Sequence, residues 1–141
     1  MSKVAVVYWS GTGNTEQMAN AVMEGAASAG AEAELIRAAD FSQDLAAAFD
    51  GIAFGCPSMG AEVLEESEFE PMFASVENSL AGKKVALFGS WGWGGGVWME
   101  DWTARCEADG ISLACDSVTC QEAPDDDALE QCRALGAAVA G

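Results

Sequence analysis

The sequence contains no histidine, and this absence excludes several kinds of chemistry. Imidazole is the usual side-chain base near neutral pH, so Ser-His-Asp and Cys-His catalysis are both ruled out. No two of the cysteines form a CxxC pair, and without histidine we do not expect a structural zinc site. We expect reduced, mostly buried thiols at all five positions, which are Cys56, Cys106, Cys115, Cys120 and Cys132.

Basic residues are also scarce. The chain has 6 lysines and arginines against 23 acidic residues, which gives a formal net charge of −17. Nucleic acids and anionic membranes are therefore poor partners, because like charges repel. Basic protein surfaces are favourable ones, although the same charge could serve only solubility.

Long hydrophobic runs are missing as well. No apolar stretch approaches the roughly 20 residues that cross a bilayer. The first residues lead into a strand pattern without the regions of a signal peptide, so we expect a cytoplasmic location. A chain of 141 residues fits one domain, and we expect residues 1–141 to form it.

The rest of the sequence alternates strand patterns with helix patterns. Strands are predicted at 3–8, 32–37, 51–56, 85–89 and 111–118. Helices are predicted at 16–29, 41–49, 69–80 and 97–109, with a last helix beginning at Pro124. This alternation predicts an α/β fold, a doubly wound five-stranded parallel sheet with helices on both faces. Ligands of such sheets bind at the carboxyl ends of the strands.

The segment from Ser10 to Thr15 follows the first strand and precedes a helix. It holds three hydroxyls, one amide and two glycines, but no lysine or arginine. A helix N-terminus attracts phosphate through its free N–H groups and its positive dipole end. The segment lacks the lysine of GxxxxGK[ST] and the three glycines of GxGxxG. It therefore favours one phosphate monoester held by neutral donors, with an ordinary helix cap as the alternative.

Two further loops leave the same predicted sheet edge. Residues 57–62 follow the third strand, and residues 90–96, rich in glycine and tryptophan, follow the fourth. Met59 and Trp93 could close on the two faces of a planar ring. Either loop could be purely structural, but beside a phosphate loop they favour a phosphorylated, flat aromatic cofactor.

Four stretches together resemble the flavodoxins, the FMN-binding electron carriers, and above all the short-chain type of anaerobes such as clostridia. They are Tyr8-Trp-Ser-Gly-Thr-Gly-Asn-Thr15, Gly55-Cys-Pro-Ser-Met-Gly60, Glu62-Val-Leu-Glu-Glu-Ser-Glu-Phe-Glu-Pro71, and Gly82-Lys-Lys-Val-Ala-Leu-Phe-Gly-Ser90 with Gly92-Trp-Gly94. The resemblance covers essentially the whole chain. It implies the flavodoxin-like strand order 2-1-3-4-5.

The resemblance also implies a role for individual residues. Ser10, Thr12, Asn14 and Thr15 would hold the FMN phosphate, while Met59 and Trp93 would lie on the inner and outer faces of the ring. The Gly60–Ala61 peptide would flip on reduction, and Glu62 would accept a hydrogen bond from flavin N3–H. No catalytic residue and no metal ligand is expected. The full set expected at the cofactor is Ser10, Gly11, Thr12, Gly13, Asn14, Thr15, Pro57, Ser58, Met59, Gly60, Ala61, Glu62, Ser90, Trp91, Gly92, Trp93 and Gly94.

The function that the resemblance implies is electron transport in anaerobic metabolism, not enzymatic catalysis. The protein would be a low-potential, one-electron carrier whose non-covalently bound FMN shuttles between semiquinone and hydroquinone. Its partners would be reductases or ferredoxin-dependent enzymes with basic docking surfaces, and it would be a monomer. The acidic run 62–70 is the candidate docking rim, although a solvated helix start explains it as well.

Three positions depart from the pattern of the family. Ala61 adopts a positive φ less readily than the aspartate or glycine often found there, so we expect a smaller gain from the peptide flip. Trp91 stands where relatives often have tyrosine. Glu122 lies where relatives may offer asparagine to the ribityl chain.

Two other functions are alternatives to the electron carrier. A small FMN-dependent quinone or NAD(P)H oxidoreductase on the same fold would need a substrate pocket and usually a longer chain. A receiver-type signalling domain would need clustered acids after the first strand, where this chain has Tyr8-Trp9-Ser10.

Overall fold

A computed structural model describes residues 3–11, 13–59, 64–92 and 96–140. Five parallel strands form one sheet in the order β2-β1-β3-β4-β5, as predicted. The strands are β1 Lys3–Tyr8, β2 Glu32–Arg37, β3 Gly51–Gly55, β4 Lys84–Trp91 and β5 Val118–Gln121. The helices are α1 Asn14–Ser28, α2 Gln43–Ala46, α3 Phe69–Val76, α4 Val97–Ala108 and α5 Asp126–Ala140, with 3₁₀ turns at Ala38–Asp40 and Glu77–Ser79.

The three central strands of the sheet are buried on both faces. β3 is buried along its whole length, and β1 is buried after its first residue, which explains their continuous apolar sequences. On one face Val6 packs with Met18 of α1 and Leu135 of α5. On the other, Phe54 packs with Phe73 of α3, and the two ring centroids lie 5.1 Å apart at 86°. Helices on both faces confirm the doubly wound architecture.

Helices α1 and α5 approach each other closely through two glycines. A Cβ atom on Gly25 would overlap the backbone carbonyl of Arg133, and one on Gly136 would overlap the carbonyl of Val22. Each helix therefore presents bare backbone to the other. Because the obstacle is backbone in both cases, no side-chain rotation can make room for a methyl group.

The fifth strand begins later than the sequence predicts. Leu113 makes only an isolated bridge to Val85, and regular pairing starts where Val118 meets Phe88. From Val85 to Phe88 on β4 is three residues, whereas from Leu113 to Val118 on the partner segment is five. The ladder therefore breaks at the polar turn around Asp116, and the predicted strand at 111–118 is wrong.

The last helix and the short second helix also differ from prediction. Pro124 precedes α5, and Asp125 caps it instead: its Oδ1 accepts a hydrogen bond from the Ala128 N–H at 2.8 Å. The predicted helix at 41–49 is only the single turn of α2, where Ser42 Oγ accepts from the Leu45 N–H. Among the described residues, no helix has the length and apolar character to cross a membrane.

Arg105 of α4 joins that helix to α3. Its guanidinium makes bidentate hydrogen bonds to Glu70, at 2.7 and 2.8 Å, and also bonds both carboxylate oxygens of Glu77 at 2.9 Å. The guanidinium carbon lies 5.0 Å from the Phe73 ring centroid. The Arg105 hydrogen bond is the main reason why the pKa of Glu77 lies below its usual value.

We expect Arg105→Gln to lower the free energy of unfolding by about 2 kcal/mol, because two forked ion pairs and a ring contact are lost together. Arg133→Gln is the control: Arg133 pairs with Glu24 and Glu130 at the surface, where such pairs contribute about 0–1 kcal/mol. Since the folded-state pKa of Glu77 is lowered, the Arg105 contribution is present above pH ~4.3 and is lost as pH falls. Urea unfolding at neutral and acidic pH measures both effects, and equal losses in the two variants would contradict the account.

Candidate functional site

Several polar donors at the turn between β1 and α1 have no acceptor among the described residues. Gly13, at φ 95°, precedes the helix, and its carbonyl accepts the first helical bond, from the Gln17 N–H. The N–H groups of Asn14, Thr15 and Glu16 thus have no acceptor within the helix. The Ser10 Oγ accepts from the Gly13 N–H at 3.0 Å, which holds the turn in place.

Thr15 supplies the most informative atom of this turn. The residue is 1% exposed, yet its Oγ1 has no hydrogen-bond partner among the residues that the structure describes. A buried hydroxyl without a partner is unfavourable by about 1–3 kcal/mol. The hydroxyl and the free N–H groups together fit one anionic ligand with several oxygen acceptors, and a phosphate monoester has that chemistry.

A cavity of about 550 Å³ lies beside this turn, at the carboxyl ends of the central strands. This volume is within the range of cofactor and small-molecule sites. Apolar and aromatic side chains dominate its walls, which suits a flat ring. It is lined by Trp9, Gly11, Asn14, Pro57, Ser58, Met59, Ser90, Trp91, Gly92, Glu122 and Ala123.

A second groove, of about 710 Å³, lies between α4 and residues 113–119. It is larger but touches the three sequence-predicted loops only at Gly96. Its polar lining includes the carboxylates of Glu100, Glu107 and Asp116, which repel an anionic cofactor. The cavity beside α1 is therefore the candidate cofactor site.

Hydrogen bonds beyond the strand ends hold the three loops together. The Trp9 N–H donates to the Gly55 carbonyl, and the Ser58 N–H donates to the Ser90 carbonyl, both at 3.0 Å. Ser90 was predicted in the loop after the fourth strand, but it belongs to β4 and is buried. Its hydroxyl donates to the Glu122 carbonyl at 2.6 Å, so Ser90 supports the cavity wall formed by Glu122.

Glu122 has a strained backbone at the cavity wall. Its φ of 57° is the only positive value at a non-glycine among the described residues. Its N–H donates to the Trp91 carbonyl at 2.7 Å, which with the Ser90 bond fixes this conformation. Left-handed backbone at such a residue costs about 1–2 kcal/mol, and strain of this kind clusters at functional sites.

The acidic run 62–70 is less uniform than its sequence indicates. Glu65 is buried, and Glu70 pairs with Arg105 although 39% of its side chain stays exposed. Glu66 and Glu68 are exposed, and Glu68 accepts a hydrogen bond from the Trp9 indole at 2.9 Å. Within the described part of the run, Glu66 and Glu68 are the most exposed acidic residues.

The structure brings most of the predicted residues that it describes to this place. Gly11 and Asn14 line the cavity, together with the described residues that were predicted from the other two loops: Pro57, Ser58, Met59, Ser90, Trp91 and Gly92. Ser10, Gly13 and Thr15 lie in the adjoining turn. Sequence reasoning missed Trp9 and Ala123 as cavity walls; their position just after a strand end was the available signal. Six predicted residues fall outside the described residues: Thr12, Gly60, Ala61, Glu62, Trp93 and Gly94.

Comparison with known proteins agrees with this geometry. Residues 6–136 match the family model described as Flavodoxin. The chain belongs to the flavodoxin family, and it is an FMN-binding electron-transfer protein, not an enzyme.

Two flavodoxins match the chain over nearly its whole length. The chain is 46% identical to the flavodoxin of Megasphaera elsdenii, over 97% of this chain and 98% of that protein. It is 42% identical to the flavodoxin of Clostridium beijerinckii, over 96% and 97%. The solution structure of two-electron reduced Megasphaera elsdenii flavodoxin superposes with a TM-score of 0.89 over 97% of this chain and 98% of that one. These matches do not favour the quinone or NAD(P)H oxidoreductase alternative, nor a signalling domain.

Proposed function

We propose that residues 10–15 hold the phosphate of FMN and that the cavity beside them holds its ring. The observation that carries this proposal is the buried, unpartnered Thr15 hydroxyl at the N-terminus of α1. FMN supplies the redox chemistry when bound. Ser10, Asn14 and Thr15 bind its phosphate, in this proposal with Thr12.

The loops after β3 and β4 orient the ring and exclude water from it. Met59 and Trp91 both line the cavity, which supports stacking contacts there. From the family resemblance we propose Met59 for the inner face of the ring and Trp93 for the outer face. The Gly60–Ala61 peptide and Glu62 would bond the polar edge of the ring.

We further propose that the protein works on the lower of the two one-electron couples of FMN. The supporting observation is its net charge of −17. A carboxylate ~10 Å from the ring disfavours added negative charge by roughly 1–2 kcal/mol at an effective dielectric of 20, before salt screening. Each 1.4 kcal/mol corresponds to about 59 mV of one-electron potential. Several carboxylates acting together would therefore lower the second potential substantially.

An anaerobic reductive titration of the FMN-loaded protein tests this function. We expect two one-electron steps that are separate in the visible spectrum, with the second at the lower potential. A single two-electron step, or rapid turnover with NADPH as the sole reductant, would instead indicate an oxidoreductase.

The cellular setting follows from the same proposal. Residues 1–141 would act as one FMN-binding domain, as a cytoplasmic monomer. The redox partners would be reductases or ferredoxin-dependent enzymes of anaerobic metabolism with basic docking surfaces. The exposed carboxylates of Glu66 and Glu68 support a docking rim next to the loop at 57–64.

Glu66→Lys should slow electron transfer to a basic haem protein about threefold at an ionic strength of about 0.01 M, because it weakens electrostatic steering. Glu32→Lys is the matched control: it makes the same charge change at an exposed residue at the amino end of β2, on the opposite sheet edge. Stopped-flow rates at low and high salt measure the effect, which should disappear at high salt. An equal slowing by Glu32→Lys would mean that only net charge matters.

A further inference from the structure

We infer that Cys56 and Glu65 form a clamp that joins the two ends of the loop 57–64 and thereby positions its flavin-facing residues. The inference rests on the proposed function, since that loop carries Met59. Cys56 and Glu65 would be positioning residues, because neither lines the cavity.

Cys56 fixes the first end of the loop, immediately after β3. Its side chain is fully buried, and its Sγ accepts a hydrogen bond from the Glu65 N–H at 3.3 Å. The same sulfur lies 3.5 Å from the Pro57 carbonyl, to which the thiol donates. Burial raises the pKa of this thiol, so it stays protonated and able to donate. The Cys56 carbonyl in turn accepts from the Trp98 indole at 3.1 Å.

Glu65 fixes the second end of the loop, just before the turn at residues 66–68 that leads into α3. The residue is 5% exposed, and its carboxylate accepts the N–H groups of Ser67, Glu68 and Phe69 at 2.9, 2.7 and 2.9 Å. It also accepts the Ser67 hydroxyl. Burial acts to raise the pKa of Glu65, but these hydrogen bonds outweigh it and hold the pKa below its usual value. The carboxylate is therefore charged at neutral pH and stabilised by the start of α3.

The two anchors differ from ordinary helix capping in one respect. A cap needs only the carboxylate, whereas here the backbone N–H of the capping residue also reaches across to the sulfur at the end of β3. The clamp thus ties the sheet edge to α3 at the base of the loop. On the other side, the Ser58 N–H bond to the Ser90 carbonyl ties the loop to β4.

Such a clamp acts by preorganisation. A loop whose ends are fixed loses less conformational freedom when it orders around a ligand, so the ligand binds more tightly. Fixed ends also change the free energy of any step in which the loop changes conformation. The family resemblance implies such a step at the Gly60–Ala61 peptide, which would flip on reduction. The clamp should therefore affect the first reduction potential.

The experiment compares two variants with matched controls. Cys56→Ala is paired with Cys106→Ala, which removes another fully buried thiol of the same core cluster. Glu65→Gln is paired with Glu66→Gln. The control removes the same charge from the neighbouring residue, whose side chain is exposed. Cys56→Ser is the conservative variant, because a hydroxyl can also accept from the Glu65 N–H and donate to the Pro57 carbonyl.

Hydrogen exchange on the apoprotein gives the first readout and needs no FMN. In Glu65→Gln we expect the amides of Ser67, Glu68 and Phe69 to exchange at least about tenfold faster, the loss of about 1.4 kcal/mol of local protection. In Glu66→Gln they should exchange as in the wild type. Unchanged exchange in Glu65→Gln would overturn the clamp at this end.

FMN titration and redox potentiometry give the second readout. Cys56→Ala and Glu65→Gln should each raise the Kd for FMN about tenfold beyond their controls, and Cys56→Ser should restore most of the affinity. The first reduction potential should shift by about 59 mV relative to the controls, which corresponds to a tenfold change in the equilibrium constant of that step. Equal Kd values and potentials in variants and controls would overturn the inference. A wild-type protein that fails to bind FMN would instead overturn the proposed function.

Discussion

Gly136→Ala is expected to destabilise the apoprotein by about 3 kcal/mol. The new methyl group would overlap the Val22 carbonyl and also press on the backbone of Ala26, so α1 and α5 must move apart. Overpacking of this kind usually costs about 1–3 kcal/mol, and a backbone obstacle places it at the upper end. The better helix propensity of alanine offsets only about 1 kcal/mol of the loss. Urea unfolding of the apoprotein measures the change.

Gly82→Ala separates steric overlap from backbone strain. Gly82 has φ 88° and open space where its Cβ would be, so alanine there should cost only about 1–2 kcal/mol of left-handed strain. Gly25→Ala should behave like Gly136→Ala, because it meets the Arg133 carbonyl in the same interface. The double variant should cost less than the two single changes together, since one helix separation relieves both overlaps. A Gly136→Ala loss no larger than that of Gly82→Ala would contradict the close-contact account.

Thr15→Val should weaken FMN binding about tenfold to a hundredfold and leave the apoprotein as stable or slightly more stable. The hydroxyl has no partner among the described residues, so valine removes an unfavourable buried polar atom from the apoprotein. With FMN bound, the same change removes a hydrogen bond to a charged phosphate, which contributes about 1.5–3 kcal/mol. Opposite effects on stability and affinity are the signature of a side chain that serves the ligand.

Thr119→Val provides the control for this change. Thr119 is an exposed residue of β5 that does not line the cavity beside α1, so its replacement should leave the affinity for FMN unchanged. Fluorescence titration gives the affinity, and thermal unfolding of the apoprotein gives the stability. If Thr15→Val destabilises the apoprotein and binds FMN as tightly as the wild type, Thr15 is structural and the phosphate assignment fails.

The sheet could be predicted where burial on both faces leaves no choice of register. The bounds of β1 agree with the prediction, because a buried parallel strand with a continuous apolar sequence has one stable place. The bounds of β2 agree as well, although Ile36 is the one buried residue of that strand. The start of β5 could not be predicted from the sequence. It depends on where this edge strand resumes regular pairing with β4 after a polar turn. The cap at Asp125 was missed because the preceding proline suggested an earlier helix start.

In the candidate site, too, local features could be predicted from the sequence and long-range contacts could not. The phosphate turn is local, so its glycines and hydroxyls were readable from the sequence of residues 10–15. The cavity wall formed by Glu122 depends on a long-range bond from Ser90 and on a positive φ that sequence does not reveal. The acidic run was predicted as a docking rim or a solvated helix start, and neither interpretation shows that Glu65 is buried or that Glu70 pairs with the distant Arg105.

Calorimetric titration of the apoprotein with FMN and with riboflavin tests the central claim most directly, because the two ligands share the ring and differ in the phosphate. If the turn at residues 10–15 anchors the phosphate, FMN should bind at least about a hundredfold more tightly than riboflavin, or about 2.7 kcal/mol. Equal affinities for the two ligands would show that the turn does not hold the phosphate and would contradict the account.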